Sequence, residues 1–545
     1  MSQIAAPIPQ ASRPVAHPRF LEPASLLLIA PLCIVGAIIG AQLIVTLGIT
    51  ANTSLIGALS AMVLARVPIA GFARYRSIHV QNLAQSAISA ATFGAGNSLM
   101  LPIGIPFVLG QPDLALPLLL GVFLAMLVDG VMLYRLFDSE IFPAEEAWPP
   151  GAAAAEAIRA GDEGGRKASI LGAGVVLGIL GNWFAGIPMS AFGVAFIGNI
   201  WALTMFGIGL LLRGYSKLLF AHPLFAAAIP AGDISKAYIP HGMMVGAGVV
   251  ALVQVGVMIL RRSAGPATEG TRTPAEVRRS LGLGAGAYVA IAAVIAAGGG
   301  LVAGLSTGML IGFVLYAAFA ALVHELIVGL AAMHSGWFPA FAVALITLVI
   351  GMLIGFPSVA LALLVGFSAA TGPAFADMGY DLKAGFMLRG HGADPSFERD
   401  GRRQQLIAAM FAFVVAAVVV YVSYQSYFAR DLVAPVDRVY VATIRAGSSP
   451  AVALSLALWA IPGAIIQLLG GSRRQLGVLL ATGLLIPFPL AGWAVLAGIL
   501  CRVVWERLPG FASVESMQVF GAGVIAGDAL YSFFHSVAHG ITGKK

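Results

Sequence analysis

ASLLLIAPLCIVGAIIGAQLIVTLG, residues 24–48, carries no charged side chain from end to end. That exceeds the ~20 apolar residues a helix needs to cross the hydrocarbon of a bilayer. Comparable runs recur near 52–72, 113–134, 169–188, 191–212, 242–260, 283–303, 306–330, 338–356, 358–376, 405–428, 451–470, 476–500 and 518–538. At about 20 residues each they make roughly 14 to 16 spans, short or broken ones included. The expected class is an all-α, polytopic integral membrane protein.

Composition agrees. Of 545 residues 10% are charged, and mean hydropathy is +0.93, where a soluble chain would carry about 25% charged residues. A membrane barrel would instead alternate weakly over segments of ~10 residues. Residues 1–22 are polar and Pro-rich, and the run behind them is too long for a signal-peptide core. They read as a cytoplasmic tail.

The net charge of +7 concerns topology rather than nucleic acid. Arg13, Arg19, Arg74, Arg76, Arg261, Arg262, Arg272, Arg278, Arg279, Arg389, Arg399, Arg402, Arg403, Arg473 and Arg474 fall between spans, the positive-inside pattern of cytoplasmic loops. Cys33 and Cys501 each sit in an apolar run, so no disulfide framework or metal site is built from them. There is no GxxxxGK[ST] phosphate loop, and HELIVG (324–329) lacks the second His of HExxH. GLGAG (282–286) has no βαβ unit around it.

The stretch RRSAGPATEGTRTPAEVRRS, 261–280, reads as a cytoplasmic linker. It separates membrane halves 23–260 and 281–545, an arrangement found in transporters built by duplication. A basic loop is expected over 383–403, and a mixed-charge one on the outer side over 429–447. Gly36 with Gly40, Gly174 with Gly178, and Gly351 with Gly355 lie one turn apart, which lets helix backbones approach closely.

Two stretches carry chemistry. On a helix, NLAQSAISAATFGAGNS (82–98) places Asn82, Gln85, Ser86, Ser89, Thr92, Gly96 and Asn97 in one sector of roughly 140°. Lipid satisfies neither amides nor hydroxyls, so this face must meet other helices or a wet cavity. A cavity lining is the expectation. Gly94, Gly96, Pro102, Gly104 and Pro106 then predict a break or re-entrant turn, as at the substrate sites of secondary transporters. In FPAEEAWPPGAAAAEAIRAG (142–161), Pro149 and Pro150 start a short helix whose positive end lies at Gly151–Ala153, ready for a carboxylate. Glu156 follows one turn on, near Arg159. His324, Glu325 and Asp528 are the other ionisable groups within spans that are candidates for carrying a proton, and each also has a purely structural reading. Asp129 reads as interfacial, and His334 precedes a turn.

Taken together, QNLAQSAISA (81–90), WPPGAAAAEAIRAG (148–161), DLKAGFMLRG with RRQQ downstream (381–390, 402–405), PFPLAGWAVLAGILCRVV (487–504) and GAGVIAGDAL (521–530) resemble the oligopeptide transporter family, which includes the yellow-stripe-like metal–chelate transporters. The resemblance implies about sixteen spans in two halves, cytoplasmic termini and alternating access. It also implies proton-coupled import of peptides, or of metal bound to amino-acid-derived chelators. The sequence departs from the family at Pro149-Pro150-Gly151, where the family has Pro-Ser-Gly, and at Asp528, where it usually has Glu. The NPG- and KIPPR-type motifs of the eukaryotic peptide branch are missing, and the compact loops fit a bacterial member.

The expectation is therefore a multi-pass symporter in the plasma membrane that imports short peptides with protons. Asn82, Gln85, Ser86, Ser89, Thr92, Asn97 and Gly151 would bind substrate, while Glu156, Glu325, Asp528 and His324 are the proton-coupling candidates. Metal–chelate import is the nearest alternative. An intramembrane enzyme such as a prenyltransferase, resting on Asp377 and Asp381 four residues apart, is a distant one. Expected partners are substrate, protons and membrane lipid, with room for a homo-oligomer; no nucleic acid, resident metal or cofactor is expected.

Overall fold

A computed structural model describes residues 16–47, 75–163, 165–225, 229, 232–260, 272–336, 340–447, 450–507 and 514–542. The expected span at 52–72, tail residues 1–15 and linker residues 261–271 lie outside the described residues.

The described chain is helical: α1 (Pro23–Leu47), α2 (Ile78–Leu109), α3 (Ala115–Leu136), α4 (Pro149–Glu163), α5 (Gly165–Ala185), α6 (Met189–Val194), α7 (Ile200–Gly214), α8 (Ile239–Leu260) and α9 (Pro274–Gly298). There follow α10 (Thr307–Ser335), α11 (Ala340–Ile354), α12 (Ser358–Ala370), α13 (Pro373–Leu388), α14 (Pro395–Phe428), α15 (Pro435–Ala446), α16 (Pro450–Arg474), α17 (Leu476–Leu485), α18 (Pro489–Arg507) and α19 (Val514–Thr542). Among the described residues, ten helical segments are long and apolar enough to cross a membrane, and four further apolar helices are shorter. Backbone polar groups in lipid must be satisfied within the segment, which is why the apolar runs take this form. Local signals set the starts. Pro274 follows Thr273, which forms a capping box with Glu276, and Asp394 caps the Ser396 and Phe397 N–H groups ahead of α14.

α2 differs from expectation. It runs unbroken from Ile78 to Leu109, and Gly94–Met100 forms a π-helical turn within it. The widened turn shifts the hydrogen-bond register, so Pro102 stands at the start of the next α-turn, where its missing N–H costs little. The true break is at Thr371–Gly372, between α12 and α13. There Thr371 is extended, Gly372 takes φ +96°, and Pro373 opens α13. α12 and α13 form the buried axis of the molecule, with every residue from Ala360 to Leu388 inside.

Packing cuts across the order of the chain. α1–α3 gather mainly with α9–α15, while α5–α8 gather mainly with α16–α19. Glycines mark several seams. Gly174 and Gly178 of α5 lie against the carbonyls of Phe520 and Val524, and Gly523 and Gly527 of α19 lie against those of Leu171 and Val175. Gly246 and Gly463 join α8 to α16, and Gly36 and Gly40 seat α1 on Thr92. α4 bridges the two groups, packing on α13 through Ala154, Ala155 and Ile158, and on α19 through Ala153 and Ala157.

Two arginines of the expected basic loop are not loop charges. Arg389 and Arg402 are buried on Glu398, at 2.7 Å and 2.6 Å, and Arg402 also reaches Asp138 at 2.9 Å. Three acidic oxygens in reach compensate the cost of taking guanidinium groups out of water.

Candidate functional site

The polar face of α2 and the acids of α13 meet in the interior. Ser89 donates to Asp377 at 2.5 Å, Gln85 to Asp381 at 2.6 Å, and Asn82 to the Gln85 side-chain oxygen at 2.9 Å. Gln405 of α14 donates to Ser86 at 3.0 Å and to the Asp381 carbonyl at 2.5 Å. Thr92 bonds back to the Ile88 carbonyl. All of these side chains are buried, whereas Asn97, in the π-turn, is half-buried. The predicted stripe is thus real, and it faces a second polar face rather than an open cavity. Asp377 and Asp381 are the functional candidates that sequence reasoning underweighted. The available signal was their own spacing: two acids one turn apart, directly after the apolar run 358–376, need a polar face opposite if the helix continues inward.

A cavity of about 330 Å³ is lined by Glu145, Glu146, Glu156, Asn199, Lys383 and His391 among others. The α3–α4 loop, α4, α13, the α13–α14 loop and the α6–α7 connection supply these groups. Lys383 donates to the Ala144 carbonyl at 2.8 Å and lies 5.7 Å over the Phe386 ring. His391 stands 3.5 Å from Glu145, and His334 stands 3.7 Å from Glu146. Glu156 pairs with Arg159 at 3.3 Å.

α4 begins where Pro149 and Pro150 predict. Its first N–H groups are closed, because Gly151 and Ala152 both donate to the Trp148 carbonyl. Gly151 lies against the Tyr380 carbonyl of α13, with no room for a Cβ. Its contribution is close approach, and Ala152 and Glu156 are the α4 residues at the cavity. The buried Trp148 fits the space left by Gly379.

The remaining candidates lie apart from the cavity lining. Asp528 accepts from Asn182 at 2.6 Å, from the Ser190 N–H at 2.9 Å and from the Ser190 hydroxyl at 2.5 Å, tying α19 to α5 and α6. His324 contacts the Ser368 carbonyl through Nδ1. Its neighbour Glu325 meets the Tyr288 hydroxyl at 3.0 Å, and the same hydroxyl meets Asp129 at 2.6 Å. Asp129 is buried, not interfacial.

A family model described as OPT oligopeptide transporter protein matches residues 183–539, well over half of the chain. The chain belongs to the OPT oligopeptide transporter family. Membership and the apolar helices together make it a multi-pass membrane transporter. No curated protein matches the chain. The OPT match includes the DLKAG, PFPLAG and GAGVIAGD segments; QNLAQS and WPPG lie ahead of it in sequence, Gln85 bonding to Asp381 of DLKAG and Trp148 and Gly151 packing on Gly379 and Tyr380 just before it.

Proposed function

We propose that this OPT protein imports short peptides across the plasma membrane, driven by protons. The observation that carries this reading is the mixed charge of the cavity: Lys383 on one wall and Glu145, Glu146 and Glu156 on others. A peptide is a zwitterion of matching pattern, its carboxylate suited to Lys383 and its ammonium to the glutamates. The volume lies at the small end of the ~300–1,000 Å³ range of ligand pockets, which favours few-residue substrates. α4 lies on the seam between the two packing groups, where rocking of one group against the other would open the cavity alternately to each side. Parting of α2 from α13 in that motion would bring Asn82, Gln85, Ser86, Ser89, Thr92 and Asn97 to the substrate amides, with Gly151 permitting the close passage of α4. Among the proton-coupling candidates, Glu156 stands in the cavity and Glu325 in the bundle. Asp528 is held by three donors and His324 by Ser368, which favours a positioning role for both.

The chelate reading draws on one observation, the two histidines His391 and His334 beside cavity glutamates. Both readings are tested by uptake into proteoliposomes with an imposed inward proton gradient, using labelled short peptides beside metal–chelate complexes. Gradient-driven peptide accumulation is expected. Accumulation of the chelate alone would overturn the peptide reading, and uptake indifferent to the gradient would overturn proton coupling. Lys383→Gln, by removing a charged hydrogen bond worth ~1.5–3 kcal/mol, should raise the peptide KM about 10- to 100-fold.

A further inference from the structure

Three helices converge on one buried phenol. Tyr288 of α9 lies within hydrogen-bond distance of Asp129 Oδ1 (2.6 Å) on α3 and of Glu325 Oε2 (3.0 Å) on α10. All three side chains are sealed from solvent. Asp129 Oδ2 also accepts the Gly372 N–H at 3.0 Å, at the point where α12 and α13 break. Glu325 Oε1 has no partner among the described residues. His324, next to Glu325 on α10, contacts the Ser368 carbonyl through Nδ1, and Asp377 of α13 accepts from Ser89.

A phenol has one hydrogen to donate, yet two carboxyl oxygens sit on this one. If both acids were ionised, one oxygen would face the phenol oxygen with no hydrogen between them, and two negative charges would lie buried without a cation. We infer that Asp129, Tyr288 and Glu325 form a proton-binding site that holds one proton on Glu325, with Asp129 ionised. Glu325 then donates to the Tyr288 oxygen and Tyr288 donates to Asp129. Asp129 is the ionised member because it has two donors, one of them at the N-terminal end of α13, whose dipole favours negative charge. Release of the Glu325 proton to water leaves Tyr288 with a single hydrogen between two carboxylates. The repulsion is relieved by moving α10 away from the broken segment that Asp129 holds through Gly372. The site rests on hydrogen-bond geometry; its role as the coupling site rests on the proton-driven import proposed above.

The test is infrared difference spectroscopy of the purified full chain at neutral pH, wild type against Glu325→Gln, reading the protonated carboxylic-acid C=O stretch. Loss of one such band in Glu325→Gln is expected, and an unchanged spectrum would overturn the site. Because Gln is the neutral isostere of the protonated acid, Glu325→Gln should fold and melt near wild type, while Asp129→Asn, which removes the ionised member, should melt lower. The reverse order would overturn the assignment. In proteoliposomes Glu325→Gln should keep substrate exchange and lose gradient-driven accumulation. The band reports the proton site whatever the substrate, so its presence with no peptide transport would leave the site standing and fell the transport reading alone.

Discussion

Arg389, Arg402 and Glu398 show how far a single residue's meaning depends on what surrounds it. In the sequence the two arginines are loop charges that mark sidedness; in the fold they form, with Glu398, a buried network of two cations on one carboxylate. Removing the shared anion leaves two buried guanidinium groups short of a partner, and breaking such a pair costs about 3–5 kcal/mol. Glu398→Gln should therefore lower the thermal midpoint of the detergent-solubilised protein sharply, read by size-exclusion after heating; an unchanged midpoint would contradict the network. His17, ahead of α1, offers a pH test. It is buried against the Phe397 ring at 5.2 Å, beside the Phe20 N–H bond to Gln404. Burial pushes its imidazole down from 6.5 to about 4. Between those values the unfolded chain takes up a proton that the folded one refuses, so stability is full above 6.5 and falls as pH drops toward 4. Melting curves across that window should slope for the wild type and be flatter for His17→Phe.

Among elements, the seam between α5 and α19 makes the clearest case. Periodicity alone suggested that Gly174 and Gly178 face another helix, and they do. What the spacing did not name was the partner, 346 residues away at the Asn182–Asp528 hydrogen bond. Gly178→Ile drives a branched side chain into the Val524 carbonyl, and overpacking of this kind costs at least ~1–3 kcal/mol. The variant should express poorly or melt early. Gly172→Ala, on the same helix with open space around it, should melt with the wild type. α2 teaches the opposite lesson. Its glycines and prolines read as a break, yet a π-turn absorbs them, and Met126 and Phe413 pack closely on Gly94 at its start.

For the whole molecule, the arginine pattern sets an expected sidedness. α9 leaves the side bearing Arg272, Arg278 and Arg279, so its far end should be external, and the Arg389–Arg403 segment should be internal. With Cys33 and Cys501 replaced by Ser, an impermeant maleimide added outside should label Ala303→Cys and spare Ala393→Cys, both exposed positions; the reverse would invert the topology. The sequence by itself determined that this chain is a helical membrane protein, where many of its spans lie, and that one face of α2 is polar, because lipid enforces apolar length and periodicity residue by residue. The family was also legible, from motifs in the right order. Only the tertiary structure decided that Asp377 and Asp381 answer Ser89 and Gln85, that Lys383 and three glutamates share a cavity, and that one phenol joins Asp129 to Glu325. Those pairings join residues as far as 296 positions apart. They follow from which helix faces which, and no local pattern encodes that.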